Sequence, residues 1–127
     1  MRKNINPKNM GESKFYSHGV LVPSKNLLFS AGQVALDAQG NVIGGGDIEA
    51  QTEYIMENLK NILNQAEMDF NNIIKVNMYL INMDDLPKVL TIRNRYFSPN
   101  KPVATGIGVA QLVKPELLIE IEVVATK

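Results

Sequence analysis

The chain has 127 residues, enough for one domain with a real core and too few for two. Thirteen basic and thirteen acidic side chains cancel to a net charge of zero, so no long-range field draws in nucleic acid. Cysteine is absent, which excludes disulfides, thiol nucleophiles and thiolate metal sites, and no apolar run approaches the roughly 20 residues of a membrane span.

Residues 1 to 13 are polar and read as a loose arm. They are basic but have no apolar core behind them, so they do not form a secretory signal. A cytoplasmic protein without a membrane partner is the expectation. The run Phe15 to Val22 reads as a first strand, Pro23-Ser24-Lys25-Asn26 as a turn, and Leu27 to Ala31 as a second strand closing a hairpin. The second strand ends in Ser30-Ala31-Gly32-Gln33, where glycine permits a close backbone approach. Gly44-Gly45-Gly46 lacks the Lys-Ser/Thr ending of a phosphate loop and reads as a turn.

Asp47 is placed to cap a helix with Ile48, Ile55, Leu59, Ile62, Leu63 and Ala66 on one stripe, predicted to run to about Glu67. Ile73 to Ile81 alternates as a strand with one buried face. Asp84 or Asp85 is the expected cap of a second helix, with Pro87 in its first turn and Phe97 near its end. Its apolar stripe of Leu86, Val89, Leu90, Tyr96 and Phe97 is interrupted by Arg93, a charge among core positions.

Pro102 to Lys127 reads as two further strands. In the last, Leu118, Ile119, Ile121, Val123 and Val124 want burial, while Glu120 and Glu122, two apart, share the opposite face. A carboxylate on such a strand faces water, a partner or a site. The predicted order is strand, strand, helix, strand, helix, strand, strand, which is an α+β layer of two helices on a mixed sheet. The other sheet face needs cover, and self-association would supply it.

Ser30-Ala31-Gly32-Gln33 and the ending Ile119-Glu120-Ile121-Glu122-Val-Val-Ala resemble the RidA (YjgF) family, and the similarity spans nearly the whole chain. The resemblance implies one RidA-like domain over residues 1–127. Its fold would be chorismate mutase-like and homotrimeric, with a small-molecule cleft at each subunit interface. It implies hydrolysis of enamines or imines such as 2-aminoacrylate to a 2-keto acid and ammonia, with no metal or organic cofactor. In the family an arginine in a Pro-Ala-Arg stretch grips the substrate carboxylate. A glutamate on the last strand positions water. Here the stretch is Pro102-Val103-Ala104, so Ala104 stands at the arginine position. Alanine cannot supply a planar two-point fork. The glutamate is retained as Glu120, the first-strand tyrosine corresponds to Tyr16, and the glycine whose backbone meets the ligand is Gly32.

Arg93 is the candidate replacement cation for a carboxylate-bearing ligand. The competing reading is a snorkelling side chain, or one paired at a subunit interface. Thr105 and Gly106 offer a hydroxyl, an amide and backbone access, and Arg95 is another cation nearby. His18 is the only histidine, so neither a triad with a spare base nor a histidine-based metal site can form. A second function class is a non-enzymatic metabolite-binding trimer, which the alanine at position 104 favours. Endoribonuclease activity, a label attached to some relatives, ranks third, because the chain lacks the basic and aromatic pattern of a nucleic-acid binder.

Overall fold

The computed structural model describes residues 2–5, 8, 14–15, 19–23, 26–97, 99 and 101–127. Its elements are β1 (Lys3–Ile5), β2 (Gly19–Leu21), β3 (Leu27–Phe29), α1 (Ile48–Gln65), β4 (Ile73–Leu80), α2 (Leu86–Phe97), β5 (Val103–Gly108) and β6 (Ile119–Thr126). The main sheet has four strands in the order β3-β6-β4-β5. β4 and β5 run parallel, while β6 is antiparallel to both β3 and β4. The final two strands of the chain are thus separated in the sheet by β4.

The periodicity explains where the core lies. Val76, Met78 and Leu80 of β4 and Ile119, Ile121, Val123 and Ala125 of β6 are buried on one sheet face, as period-2 alternation requires. Ile55, Met56, Leu59 and Leu63 of α1 and Val89 and Ile92 of α2 close over that face, so both helices lie on one side. The β4 alternation changes phase at its start. A register irregularity between Ile73 and Lys75 turns Ile73 into the core as well.

Asp47 caps α1, accepting from the amides of Glu49 and Ala50 at 3.1 Å each. The second helix starts differently from the expected Asp84 or Asp85 cap. Asn82 accepts from the Asp84 amide at 3.0 Å and opens a 3-10 turn, Met83–Asp85, that leads into α2. The two aspartates therefore sit within the first turn, where negative charge is favourable. Pro87 falls in the first turn of α2, as expected.

The N-terminal expectations are corrected. Lys3–Ile5 forms a strand instead of a loose arm, and Gly19–Leu21 pairs with it, not with Leu27–Phe29. Leu27–Phe29 pairs instead with β6, Phe29 opposite Val124, so the predicted hairpin is absent among the described residues. The physical reason is that each three-residue strand finds its ladder in a segment distant in sequence. Arg2 ties this ribbon to the body by donating to the carbonyls of Asn71 and Ile73.

Gln51 is wholly buried and joins three segments. Its amide donates to the carbonyls of Gly44 at 3.0 Å and Glu116 at 2.9 Å. Its oxygen accepts from the Leu118 amide at 2.8 Å. Gln51→Leu keeps the bulk but strands these buried backbone groups, at an expected cost of about 2–4 kcal/mol. Thermal unfolding should show Tm lower by roughly 10 °C.

No helix among the described residues is long and apolar enough to cross a membrane.

Candidate functional site

The sequence-predicted residues divide between the two faces of the sheet. On the face away from the helices, Glu120 lies opposite Tyr79, and Glu122 lies opposite Asn77. The next strand places Ile107 beside Tyr79 and Thr105 beside Asn77. These half-buried or exposed rows leave Phe29 and Ile107 uncovered, at 69% and 45% exposure.

The two glutamates have different surroundings. Glu122 accepts from the Tyr79 hydroxyl at 2.6 Å and from the Asn77 amide at 3.1 Å. The Tyr79 hydrogen bond, then that of Asn77, holds the Glu122 carboxyl below the usual glutamate range, and the same contact raises Tyr79. A lowered folded-state carboxyl adds stability above its unfolded pKa, lost as pH falls through the folded value. A raised tyrosine adds stability below its unfolded pKa, lost as pH rises through the folded value. Tyr79→Phe is therefore expected to lower Tm most at neutral pH and to flatten both limbs, the difference from wild type shrinking below about pH 4 and above about pH 10. Thermal melts across pH check this.

The Glu120 side chain makes no hydrogen bond among the described residues. Gly32 sets its position. Ser30 to Gln33 runs alongside β6, with Gln33 and Ile121 exchanging backbone hydrogen bonds of 2.8 and 3.0 Å. The Ser30 hydroxyl accepts from the Val123 amide at 2.9 Å. A β-carbon on Gly32 would fall 1.9 Å from Glu120 Oε2 and 2.6 Å from its Cδ. Glycine is needed here for space occupied by the carboxylate itself.

The helix-facing side holds the other group. Ala104 and Gly106 pair with Val76 and Met78 and open toward α2, so Thr105 projects to the opposite face from them. With Phe15, Met78, Leu86 and Leu90, they line a cavity of about 190 Å³ that also contains Arg93. Arg93 is 2% exposed. Its guanidinium donates to the Phe15 carbonyl and stacks over the Phe97 ring, 5.0 Å from the centroid. Its Nε is buried without a partner among the described residues. Burial draws its pKa down to about 10, which leaves it charged at neutral pH. No carboxylate lies within ion-pair distance of it among the described residues. Arg95, the other cation considered, is on the outer surface with Glu53 at 3.2 Å.

Tyr16 and His18 lie outside the described residues. Asn77 and Tyr79 were not singled out in the sequence, although their alternation on the polar side of β4 was the available signal. Phe15 and Leu86 gave no sequence signal as cavity walls, because an apolar lining residue reads as core.

The fold defines a class of proteins with two helices on one face of a mixed four-stranded sheet. The endoribonuclease L-PSP family model matches residues 8–127, and the chain belongs to this family, also known as RidA or YjgF, with its chorismate mutase-like fold. A RutC family protein of Pyrococcus horikoshii is 39% identical over 121 residues, covering 95% of this chain and 91% of the relative. The 3-aminoacrylate deaminase RutC of Acinetobacter baylyi is 32% identical over 100 residues, covering 79% of each. Among solved structures, the Rid-family protein YyfB of Yersinia pestis matches with a TM-score of 0.92 at 35% identity, covering 99% of this chain and 98% of that one. RidA from an Antarctic Psychrobacter matches with a TM-score of 0.74 at 27% identity, covering 96% and 94%.

Proposed function

We propose that the chain is a cytoplasmic, cofactor-independent enamine or imine hydrolase, one RidA-like domain spanning residues 1–127 that assembles as a homotrimer. The observation that carries the reading is the pair of carboxylates on β6. Glu122 is committed to Tyr79 and Asn77, whereas Glu120 is held against Gly32 with its oxygens unengaged among the described residues. A carboxylate so placed can orient water toward an imine carbon and exchange a proton with the departing nitrogen. Water adds to the C=N carbon, the C–N bond breaks, and a keto compound and ammonia leave.

Arg93 with Ala104 and Gly106 lies on the opposite sheet face from Glu120, with β4 between β5 and β6. A ligand touching both groups therefore lies between two copies. The exposed apolar side chains Leu27, Phe29 and Ile107 support burial of the open face in an assembly. The 32% identity to a protein named as a 3-aminoacrylate deaminase supports the reaction class.

The test is keto-acid release from 2-aminoacrylate generated in situ, together with light scattering of the eluting protein. Acceleration over the uncatalysed rate by a three-copy species supports the reading. A trimer that binds ligand without turnover replaces it with the metabolite-binding alternative, and a monomer overturns both.

A further inference from the structure

The guanidinium of Arg93 is committed to the chain's own backbone. We infer that Arg93 is a clasp: from α2 it holds the segment leading into β2 by the Phe15 carbonyl, and so fixes Phe15 as a wall of the cavity beside Ala104 and Gly106. It is a positioning residue, and its effect on binding rests on reading that cavity as part of the ligand site.

The need for a clasp follows from the topology. β1 and β2 pair with each other, Lys3 opposite Leu21 and Ile5 opposite Gly19, in a sheet separate from the four-stranded one. Among the described residues, no backbone ladder ties this ribbon to the body. Arg2 and Arg93 tie it from opposite directions. Arg2 reaches out of the ribbon to the carbonyls of Asn71 and Ile73, where β4 begins. Arg93 reaches back from α2 to Phe15, across 78 residues of sequence.

The burial of the side chain points the same way. A buried guanidinium that meets no carboxylate among the described residues carries a desolvation cost. Its Nε is sealed from solvent, and the Phe97 ring lies 5.0 Å from its Cζ. An aliphatic side chain on that stripe, between Val89 and Phe97, would be the better core residue. What the charge supplies is a long, directed, charge-assisted donor to a carbonyl. Phe15 then closes the cavity with Met78, Leu86, Leu90, Ala104 and Gly106. Those neighbours belong to β4, α2 and β5, which the main sheet and the core hold in place. Phe15 leads into a ribbon without that support, so its place depends on the clasp. With the clasp undone, the wall is in place only part of the time, and apparent affinity falls by that fraction.

Lys14 supplies the assay, because it is exposed and trypsin cuts the bond between it and Phe15. The experiment is limited trypsin digestion of the intact, ligand-free assembly, followed by mass for the cut after Lys14. Wild type is compared with Arg93→Met, which keeps an unbranched stem and removes every donor, and with Arg93→Lys. Cleavage of a locally opened segment tracks its opening equilibrium. Arg93→Met should therefore be cut about 10–100-fold faster, the loss of one hydrogen bond from a charged donor. Its Tm should hold or rise, because the buried charge is gone. Arg93→Lys should fall between the two, as a point charge without the fork. In 2-aminoacrylate turnover, Arg93→Met should raise KM about 10-fold and leave kcat within about twofold, since Glu120 on the other sheet face is untouched.

Equal cleavage of wild type and Arg93→Met overturns the inference. So does a wild type cut after Lys14 as fast as a free peptide of the same segment, even if no Arg93 variant folds. Faster cleavage with an unchanged KM removes the positioning role and overturns it as well. A raised KM without faster cleavage makes Arg93 a ligand contact, which also overturns it. A wild type without imine turnover sinks the hydrolase reading alone, and faster cleavage of Arg93→Met, reversed in Arg93→Lys, still supports the clasp.

Discussion

Glu120→Gln is expected to lower 2-aminoacrylate turnover by about 10²–10⁴-fold. Glutamine keeps the length and shape of the side chain but can neither accept a proton from water nor return one to the leaving nitrogen. Because the Glu120 side chain makes no hydrogen bond with a described residue, the fold should not notice the change, and stability should stay within about 0.5 kcal/mol of the wild type. Glu122→Gln is the control. That carboxylate is already held by Tyr79 and Asn77, so its loss should register in the melting profile more than in the rate. Equal rates for wild type and Glu120→Gln, measured as initial keto-acid release, would remove Glu120 from the chemistry.

Gly32→Ala should do similar damage without touching the carboxylate. The added methyl would lie 1.9 Å from Glu120 Oε2, a separation no pair of non-bonded atoms sustains. What gives way is the far end of a flexible side chain, so the fold survives and the carboxylate is displaced. Misplacement of a reacting group by about 1 Å can cost on the order of 10²-fold in rate. The decisive measurement is the double variant. Gly32→Ala combined with Glu120→Gln should be no slower than Glu120→Gln alone, because both act through one group. Fully multiplicative losses would instead assign Gly32 a role of its own, such as backbone contact with the ligand.

The helices and the central strands were legible from their sequence because their signals are local. The α1 stripe from Ile48 to Leu63 and the alternation in β4 and β6 each repeat often enough to fix which face is buried. Arg93 stood out for a related reason, as a charge on an otherwise apolar helix face. The N-terminal ribbon was not legible. Gly19–Leu21 and Leu27–Phe29 are three residues each, and strands so short carry no information about which distant ladder they join. The approach of Gly32 to Glu120 is likewise a product of register between segments far apart in sequence. The division of Ala104 and Gly106 from Thr105 was available in principle from alternation along β5. It became meaningful only once β4 was seen to separate that strand from Glu120.

Gln51 has an implication for how variants of this protein would be classified. It lies on α1, away from every group discussed as a ligand contact, yet it holds the amide of Leu118, two residues before Glu120. The helix thereby sets where the last strand begins, and so the height at which the Glu120 carboxylate stands above the sheet. A mutational screen scored on activity alone would rank position 51 beside position 120. A screen scored on abundance would separate them at once, because only the first should also deplete the folded protein.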